Sequence, residues 1–105
     1  MRSKLIILIL FLLFGVKPAS AGETPILLNP ANGITNTSSR LEWQTPSYSL
    51  YSSNPYRVQV DDDPSFSSLN KDYYTNNTYY TPTLSFGTWN WRVKVKDVSG
   101  IWSEW

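Results

Sequence analysis

The feature that most constrains the fold of this chain is an alternation of apolar and polar residues with a period of two. It is clearest in "WNWRVKVKD", where odd-numbered positions 89–95 are apolar and even-numbered positions 90–96 are polar or cationic. Side chains of a β-strand point alternately to its two faces, so this segment predicts a strand with an apolar inner face and a cationic outer face. No stretch after residue 22 carries apolar residues at helical spacing over ten or more positions. The chain is therefore predicted to be all-β.

Shorter segments repeat this pattern between clusters of Gly, Pro, Asn and Ser. "TPILLNPANG" predicts a strand that Pro30 ends, followed by a turn at Asn32-Gly33. "SRLEWQ" predicts a second strand, and "YRVQVDDD" predicts a third in which Arg57, Gln59 and Asp61 face solvent. The side chains predicted to face the core are Leu41, Trp43, Tyr56, Val58, Val60, Trp89, Trp91, Val93 and Val95. Six or seven short strands at intervals of about ten residues are typical of an antiparallel, immunoglobulin-like two-sheet sandwich.

Residues 1–21 have the pattern of a secretory signal peptide. "MRSK" is cationic, the run from Leu5 to Val16 is apolar, and "ASA" provides small residues before a cleavage site after Ala21. The apolar run is shorter than the roughly 20 residues that a membrane-spanning helix needs. We expect cleavage to leave a secreted or cell-surface protein of residues 22–105 without a membrane span; an uncleaved membrane anchor is the alternative.

Composition limits what residues 22–105 can do. The chain has no cysteine and no histidine, which excludes disulfides, most metal sites and the usual pairs of nucleophile and base. We therefore expect one small domain, stabilised by packing alone, with no metal, no cofactor and no enzymatic activity. Without Arg2, Lys4 and Lys17, six basic side chains remain against eight acidic ones, a net charge of minus two. This balance argues against nucleic acid and anionic membranes as partners.

Several motifs, which follow one another with gaps of about the length of a strand, resemble those of a known family. "YRVQVDDDPSF" and "GTWNWRVKVKDVSGIWSEW" are the most specific of them. Nearly all of residues 24–105 resembles the fibronectin type III superfamily as it occurs in bacterial and archaeal secreted proteins. The resemblance implies a sandwich with strands A, B and E in one sheet and C, C′, F and G in the other. It also implies that Trp43 and Leu84 belong to the core.

The sequence departs from that family at two places. Trp89 stands where the family usually carries a tyrosine that closes a corner, so we expect the hydrogen bond of that tyrosine to the backbone to be lost. The chain also stops at Trp105, before most of strand G. The resemblance therefore implies a domain with an incomplete C-terminus and an open edge on strand F, either the N-terminal piece of a longer secreted polypeptide with further domains or an incomplete gene product. A separate partner strand that completes the sheet is the alternative.

The terminal "WSEW" places two tryptophans three residues apart and resembles the Trp-Ser-any-Trp-Ser motif of cytokine receptor modules. In an extended segment with three residues per turn, Trp102 and Trp105 project from the same side. Outward residues of the preceding strand recur about every 6.6 Å, so Arg92 and Lys94, followed by Lys96, can interleave with the two indoles. We predict a structural ladder of Arg92, Lys94, Trp102 and Trp105. The alternative is an aromatic surface for a ligand.

The nearly palindromic "YYTNNTYY" permits two arrangements. A hairpin at Asn76-Asn77 would pair its flanking tyrosines into an aromatic patch that suits sugar rings. The family topology instead makes Asn76-Asn77 a corner between sheets, with half of the tyrosines in the core, and we favour this arrangement. Under the first arrangement the carbohydrate-binding residues would be Tyr73, Tyr74, Tyr79, Tyr80 and Trp105.

Three further features remain. Asp61, Asp62 and Asp63 are expected to form a solvated strand end and turn, with a calcium site as the alternative. The loop that follows them is expected to tuck Phe66 under the sheet edge. Asn36 and Asn76 head sequons that are acceptors only in a host that glycosylates secreted proteins.

Together, the sequence predicts a secreted, non-catalytic module that acts as a spacer, adhesion or protein-interaction unit, with a protein or a glycan on a cell surface as its partner. The alternative is a carbohydrate-binding module, of the kind that is accessory to a secreted hydrolase.

Overall fold

The chain forms two antiparallel β-sheets, which confirms the all-β, two-sheet prediction. The structure is a computed structural model and describes residues 22–36 and 38–105, so the signal-peptide prediction for residues 1–21 lies outside it. No helix occurs in those two ranges. The strands are β1 (Leu27–Asn29), β2 (Ile34–Thr35), β3 (Leu41–Trp43), β4 (Tyr56–Asp61), β5 (Lys71–Thr75), β6 (Tyr79–Tyr80) and β7 (Trp89–Val95).

One sheet has three strands in the order β1-β3-β6, and the other has four in the order β2-β7-β4-β5. The two longest strands, β4 and β7, are neighbours at the centre of the four-stranded sheet. Their register runs from Tyr56 opposite Val95 to Asp61 opposite Asn90. Since both strands alternate with a period of two, this register brings all their apolar side chains to one face of the sheet.

The apolar faces of the two sheets share a single buried cluster. Trp43 of β3 contacts both strands of the other sheet at its centre: its ring centroid lies 5.5 Å from that of Tyr56 and 6.3 Å from that of Trp91. Aromatic pairs at such distances stabilise the fold beyond the gain from burying their apolar area. This extra stability matters in a chain that has no disulfides. The buried apolar residues are Leu41, Trp43, Tyr56, Val58, Val60, Leu84, Trp89, Trp91, Val93 and Val95.

The outer edge of β7 is less open than the sequence predicts. At its start, β2 pairs with Trp89 and Asn90. Just beyond its end, Lys96 forms a bridge with Trp102. Between these two pairings, no described residue pairs with Val93 on this side of the strand. Two short pieces of chain thus protect most of an edge that would otherwise invite association.

Two residues predicted to face solvent are buried. Asp61 is 0% exposed, because its carboxyl oxygens accept hydrogen bonds from the backbone N–H groups of Asp62 (2.9 Å) and Ser68 (3.1 Å) in the following loop. Gln59 is buried beneath Arg92, whose guanidinium donates two hydrogen bonds to its Oε1 (2.9 and 2.7 Å). The alternation places both side chains on the outer face of β4, but other chain segments cover that face.

Trp89 fixes the turn that precedes β7. Its indole Nε1–H donates a hydrogen bond to the carbonyl of Ser85 at 2.9 Å. Because an indole carries one N–H donor, tryptophan can anchor the turn before β7 as a hydroxyl would.

Candidate functional site

The outer face of the four-stranded sheet carries a row in which cations and aromatic rings alternate. The cations are outward side chains of β7 and the residue after it, and two of the rings come from the C-terminal segment that crosses them. We define the cation–aromatic row as Phe66, Arg92, Trp105, Lys94, Trp102, Lys96 and Tyr51.

Each cation of the row lies over two rings. The guanidinium carbon of Arg92 is 4.0 Å from the ring centroid of Phe66 and 4.0 Å from that of Trp105. The Nζ of Lys94 is 4.5 Å from the centroid of Trp105 and 5.2 Å from that of Trp102. A cation over a ring at an exposed site contributes about 0.5 to 1 kcal/mol, so the contacts together hold the chain terminus on the sheet.

The row extends past both ends of the four residues proposed from the sequence. The structure brings Arg92, Lys94, Trp102 and Trp105 together, as the ladder arrangement requires. Lys96, which the sequence also places beside the indoles, continues the row with its Nζ 4.9 Å from the centroid of Trp102. The structure adds Tyr51, whose centroid lies 4.5 Å from the Nζ of Lys96, and Phe66, which lies against Arg92 on the outer face.

Ser103 fixes the segment that supplies both tryptophans. Its N–H donates to the carbonyl of Val95 (2.8 Å), and its Oγ accepts from the N–H of Val95 (3.0 Å). Ser103 is buried while Trp102 and Trp105, one residue before it and two after it, reach over the sheet face. The sequence pattern does not indicate this role, although the serine of "WSEW" belongs to the motif that predicts the ladder.

A polar network lies beside the row on β4 and β5. The guanidinium of Arg57 donates to both carboxylate oxygens of Asp72, at 2.9 and 2.7 Å. Asp72 also accepts a long hydrogen bond of 3.5 Å from the amide of Gln59, which in turn accepts from Arg92. The hydrogen bond from Arg57 is the main cause that lowers the pKa of Asp72 and raises that of Arg57.

Positive charge on this face exceeds negative charge. Asp72 pairs with Arg57, and the other ion pair in the described ranges, Arg40 with Glu42, involves the three-stranded sheet. Burial, followed by repulsion from nearby cations, lowers the pKa of Lys94 and that of Arg92. The row therefore contains cations that no carboxylate of the described chain neutralises within 4.0 Å.

Changing Asp72 to asparagine should make stability less dependent on acid pH. The pKa of Asp72 is lower in the folded state than in the unfolded state, so its ionised carboxylate stabilises the fold. This stabilisation is fully present above about pH 4, the pKa of an unfolded aspartate, and is lost as the pH falls through the folded-state pKa. Urea unfolding of wild type and Asp72→Asn should differ by up to about 1 kcal/mol at neutral pH and converge toward pH 2. Arg57→Gln should give the same convergence; a difference that stays constant with pH would contradict the pairing.

The five residues considered for carbohydrate binding do not form one surface. Tyr74 and Trp105 lie on the outer face of the four-stranded sheet, where both are near Arg57. The rings of Tyr73 and Tyr80 stack on each other at 4.4 Å, one from each sheet. Tyr79 belongs to the three-stranded sheet, where its ring lies 3.9 Å from the guanidinium carbon of Arg40.

The hairpin at Asn76-Asn77 is wrong, because β5 and β6 belong to different sheets. The side chain of Asn76 accepts a hydrogen bond from the N–H of Asn54 (2.8 Å), and the N–H of Asn77 donates to the hydroxyl of Thr75 (3.0 Å). These bonds form the corner between the sheets. The expectation that half of the four tyrosines in "YYTNNTYY" belong to the core is also wrong. Tyr80 packs partly against the core, and Tyr73, Tyr74 and Tyr79 are exposed.

The aspartates after β4 organise a turn. Asp63 accepts hydrogen bonds from the N–H (3.0 Å) and hydroxyl (2.8 Å) of Ser65 and from the hydroxyl of Ser67. The hydrogen bond from Ser67, followed by those from Ser65, lowers the pKa of Asp63. Across residues 22–36 and 38–105, no group of three or more acidic side chains could hold a metal ion. The same ranges contain no helix long and apolar enough to cross a membrane.

Comparison with known proteins gives no match: no family model, no curated protein and no solved structure is significantly similar to this chain.

Proposed function

We propose that this protein is a secreted, non-catalytic module of the fibronectin type III type that serves as a spacer, adhesion or protein-interaction unit of an extracellular or cell-surface protein. The observation that carries the proposal is the division of strands between the sheets. β1, β3 and β6 share one sheet, while β5, β4 and β7 share the other with β2, a short additional strand at the edge of β7. This division agrees with strands A, B and E, and C′, C and F, of that family.

The cation–aromatic row supports an interaction or spacer role because it combines rigidity with a charged surface. Ser103 and the two tryptophans fix the terminal segment to β7 through hydrogen bonds and cation–ring contacts. A face fixed in this way keeps its shape without cysteine. Preorganised side chains lose little conformational entropy when a partner binds, so such a face favours recognition.

The carbohydrate-binding alternative gains no support from the geometry. It needs several exposed rings on one surface, yet its tyrosines are divided between the two sheets. Of its members on the outer face, Trp105 already has Arg92 and Lys94 over its ring. A sugar would have to displace these cations before it could stack on the indole.

Export of the full chain tests the proposal. With an epitope tag at the C-terminus, residues 1–105 expressed in a bacterial host should be recovered outside the cytoplasm with Gly22 as the first residue. Leu10→Arg should retain the uncleaved chain in the cytoplasm, because a charge interrupts the apolar run. N-terminal sequencing of each fraction measures both outcomes.

Leu69→Arg is the matched control, since it places the same charge at an exposed position of the folded domain and should leave export unchanged. Recovery of an uncleaved chain from the cytoplasm, unaffected by Leu10→Arg, would contradict the proposed secretion.

A further inference from the structure

We propose that the outer face of the four-stranded sheet binds an extended acidic peptide, with Arg92, Lys94 and Lys96 as its cationic contacts. The proposal rests on the proposed function, because it specifies the partner of an interaction module. It follows from the distribution of charge on this face, from the spacing of the three cations, and from the contacts that the aromatic rings between them already make.

The distribution of charge is uneven. Residues 22–105 carry more acidic than basic side chains, yet four of their six basic residues lie on this face. Arg57 is paired with Asp72. Arg92, Lys94 and Lys96 have no carboxylate within 4.0 Å in the described ranges, and they contact neutral rings and the amide of Gln59. Asp72 and Glu104 act on Lys94 without forming an ion pair with it. A carboxylate from a partner would relieve repulsion among like charges here.

The spacing of the three cations fits an extended chain. They are alternate residues along β7 and its continuation, so their Cα atoms recur about every 6.6 Å. A peptide in the β conformation with acidic residues at alternate positions presents carboxylates at the same interval. Such a peptide could place successive carboxylates near the three cations at once, and the aromatic rings would fill the spaces between those contacts.

The rings argue against nucleic acid and neutral sugars as the occupant. Both ligands gain much of their binding energy from stacking on free aromatic faces. In the row, Trp105 already contacts Arg92 and Lys94, and Trp102 contacts Lys94 and Lys96. Carboxylate groups need only N–H donors, which the ammonium groups of Lys94 and Lys96 and the guanidinium N–H groups of Arg92 not bonded to Gln59 supply, and they leave the ring contacts in place.

Fluorescence anisotropy of labelled peptides with the full-chain protein tests the inference. The first probe alternates glutamate and threonine, and the second has the same composition with its glutamates consecutive. The alternating peptide should bind at least about threefold more tightly at low salt, and its affinity should fall as salt is added. Equal affinities for the two isomers would overturn the inferred spacing.

Lys96→Gln should weaken binding of the alternating peptide about three- to tenfold, the typical effect of losing one charged contact. Arg40→Gln removes the same charge from the other sheet and should leave the affinity unchanged. Lys96→Arg keeps the charge and should retain binding. Thermal unfolding of each variant checks that the fold is intact.

Three further results would overturn the inference: no binding of the alternating peptide, an affinity that Lys96→Gln does not change, or tighter binding of single-stranded DNA or an anionic polysaccharide than of the peptide. Cleavage at Gly22 and export are measured separately, so the proposed secreted module would stand if only the acidic-peptide partner failed.

Discussion

Replacing Trp91 by alanine is expected to lower the free energy of unfolding by about 3 to 5 kcal/mol. Trp91 is 2% exposed, lies in the central strand β7 and packs against Trp43 of the opposite sheet. Alanine would leave a large cavity that the two sheets cannot close. Since small domains have about 5 to 15 kcal/mol of stability in total, much of the population should unfold.

Urea denaturation followed by circular dichroism measures this loss. Trp91→Phe is the matched variant: the indole Nε1 has no hydrogen-bond partner within the described ranges, so phenylalanine sacrifices volume alone and should cost less than alanine. Phe86→Ala is the surface control, since this side chain is 92% exposed and should change stability by less than about 0.5 kcal/mol. A loss below about 1 kcal/mol in Trp91→Ala would remove this residue from the core.

The central strands could be predicted from the sequence because the pleat fixes their period at two. In β7 every second residue from Trp89 to Val95 is buried, and those between are partly exposed. In β4 the same rule identifies Tyr56, Val58 and Val60. A buried face with this period admits one orientation of the strand, since a slip by one residue would expose the whole apolar set.

The outer face of β4 could not be predicted by the same rule. Alternation states which side of a strand a residue occupies, but it does not state what covers that side. Gln59 is covered by Arg92, and Asp61 is covered by the loop after β4. These coverings join residues that are distant in sequence, and no local pattern encodes them.

The tyrosine-rich segment shows the limit of local symmetry. A palindrome is compatible with a hairpin, whose two strands pair directly, and also with a corner that leads from one sheet to the other. The structure contains the corner, with the side chain of Asn76 bonded to the backbone of Asn54. Residues 54 and 76 are 22 positions apart, so the feature that determines the arrangement lies outside the segment.

The cation–aromatic row was partly predictable because two periodicities meet in it. The period of two in β7 aligns its cations, and the spacing of three aligns Trp102 and Trp105. Neither period predicts the role of Ser103. Its two hydrogen bonds to Val95 determine where Trp102 and Trp105 lie along β7. The repeated spacing makes the row a linear array of charge, which is the property that the acidic-peptide inference uses.

Asp61→Ala should lower the free energy of unfolding by about 2 to 4 kcal/mol, although a sequence pattern alone would class this residue as surface. The carboxyl group is fully buried, and its two oxygens accept from the N–H groups of Asp62 and Ser68. Alanine would leave both donors without this acceptor at the end of β4. The loop that carries Phe66 to the cation–aromatic row would then lose one of its attachments to the sheet, while the hydrogen bond from the Asn70 N–H to the Val60 carbonyl remains.

Asp61→Asn separates these hydrogen bonds from simple packing. Asparagine has nearly the same volume but only one acceptor oxygen, so it can satisfy one of the two N–H groups and should cost about half as much as alanine. Amide hydrogen exchange should show faster exchange of the Ser68 N–H in both variants, because its protection depends on the bond to Asp61 Oδ2. Equal stability of wild type and Asp61→Ala, with unchanged protection of Ser68, would mean that the loop after β4 is held by other contacts.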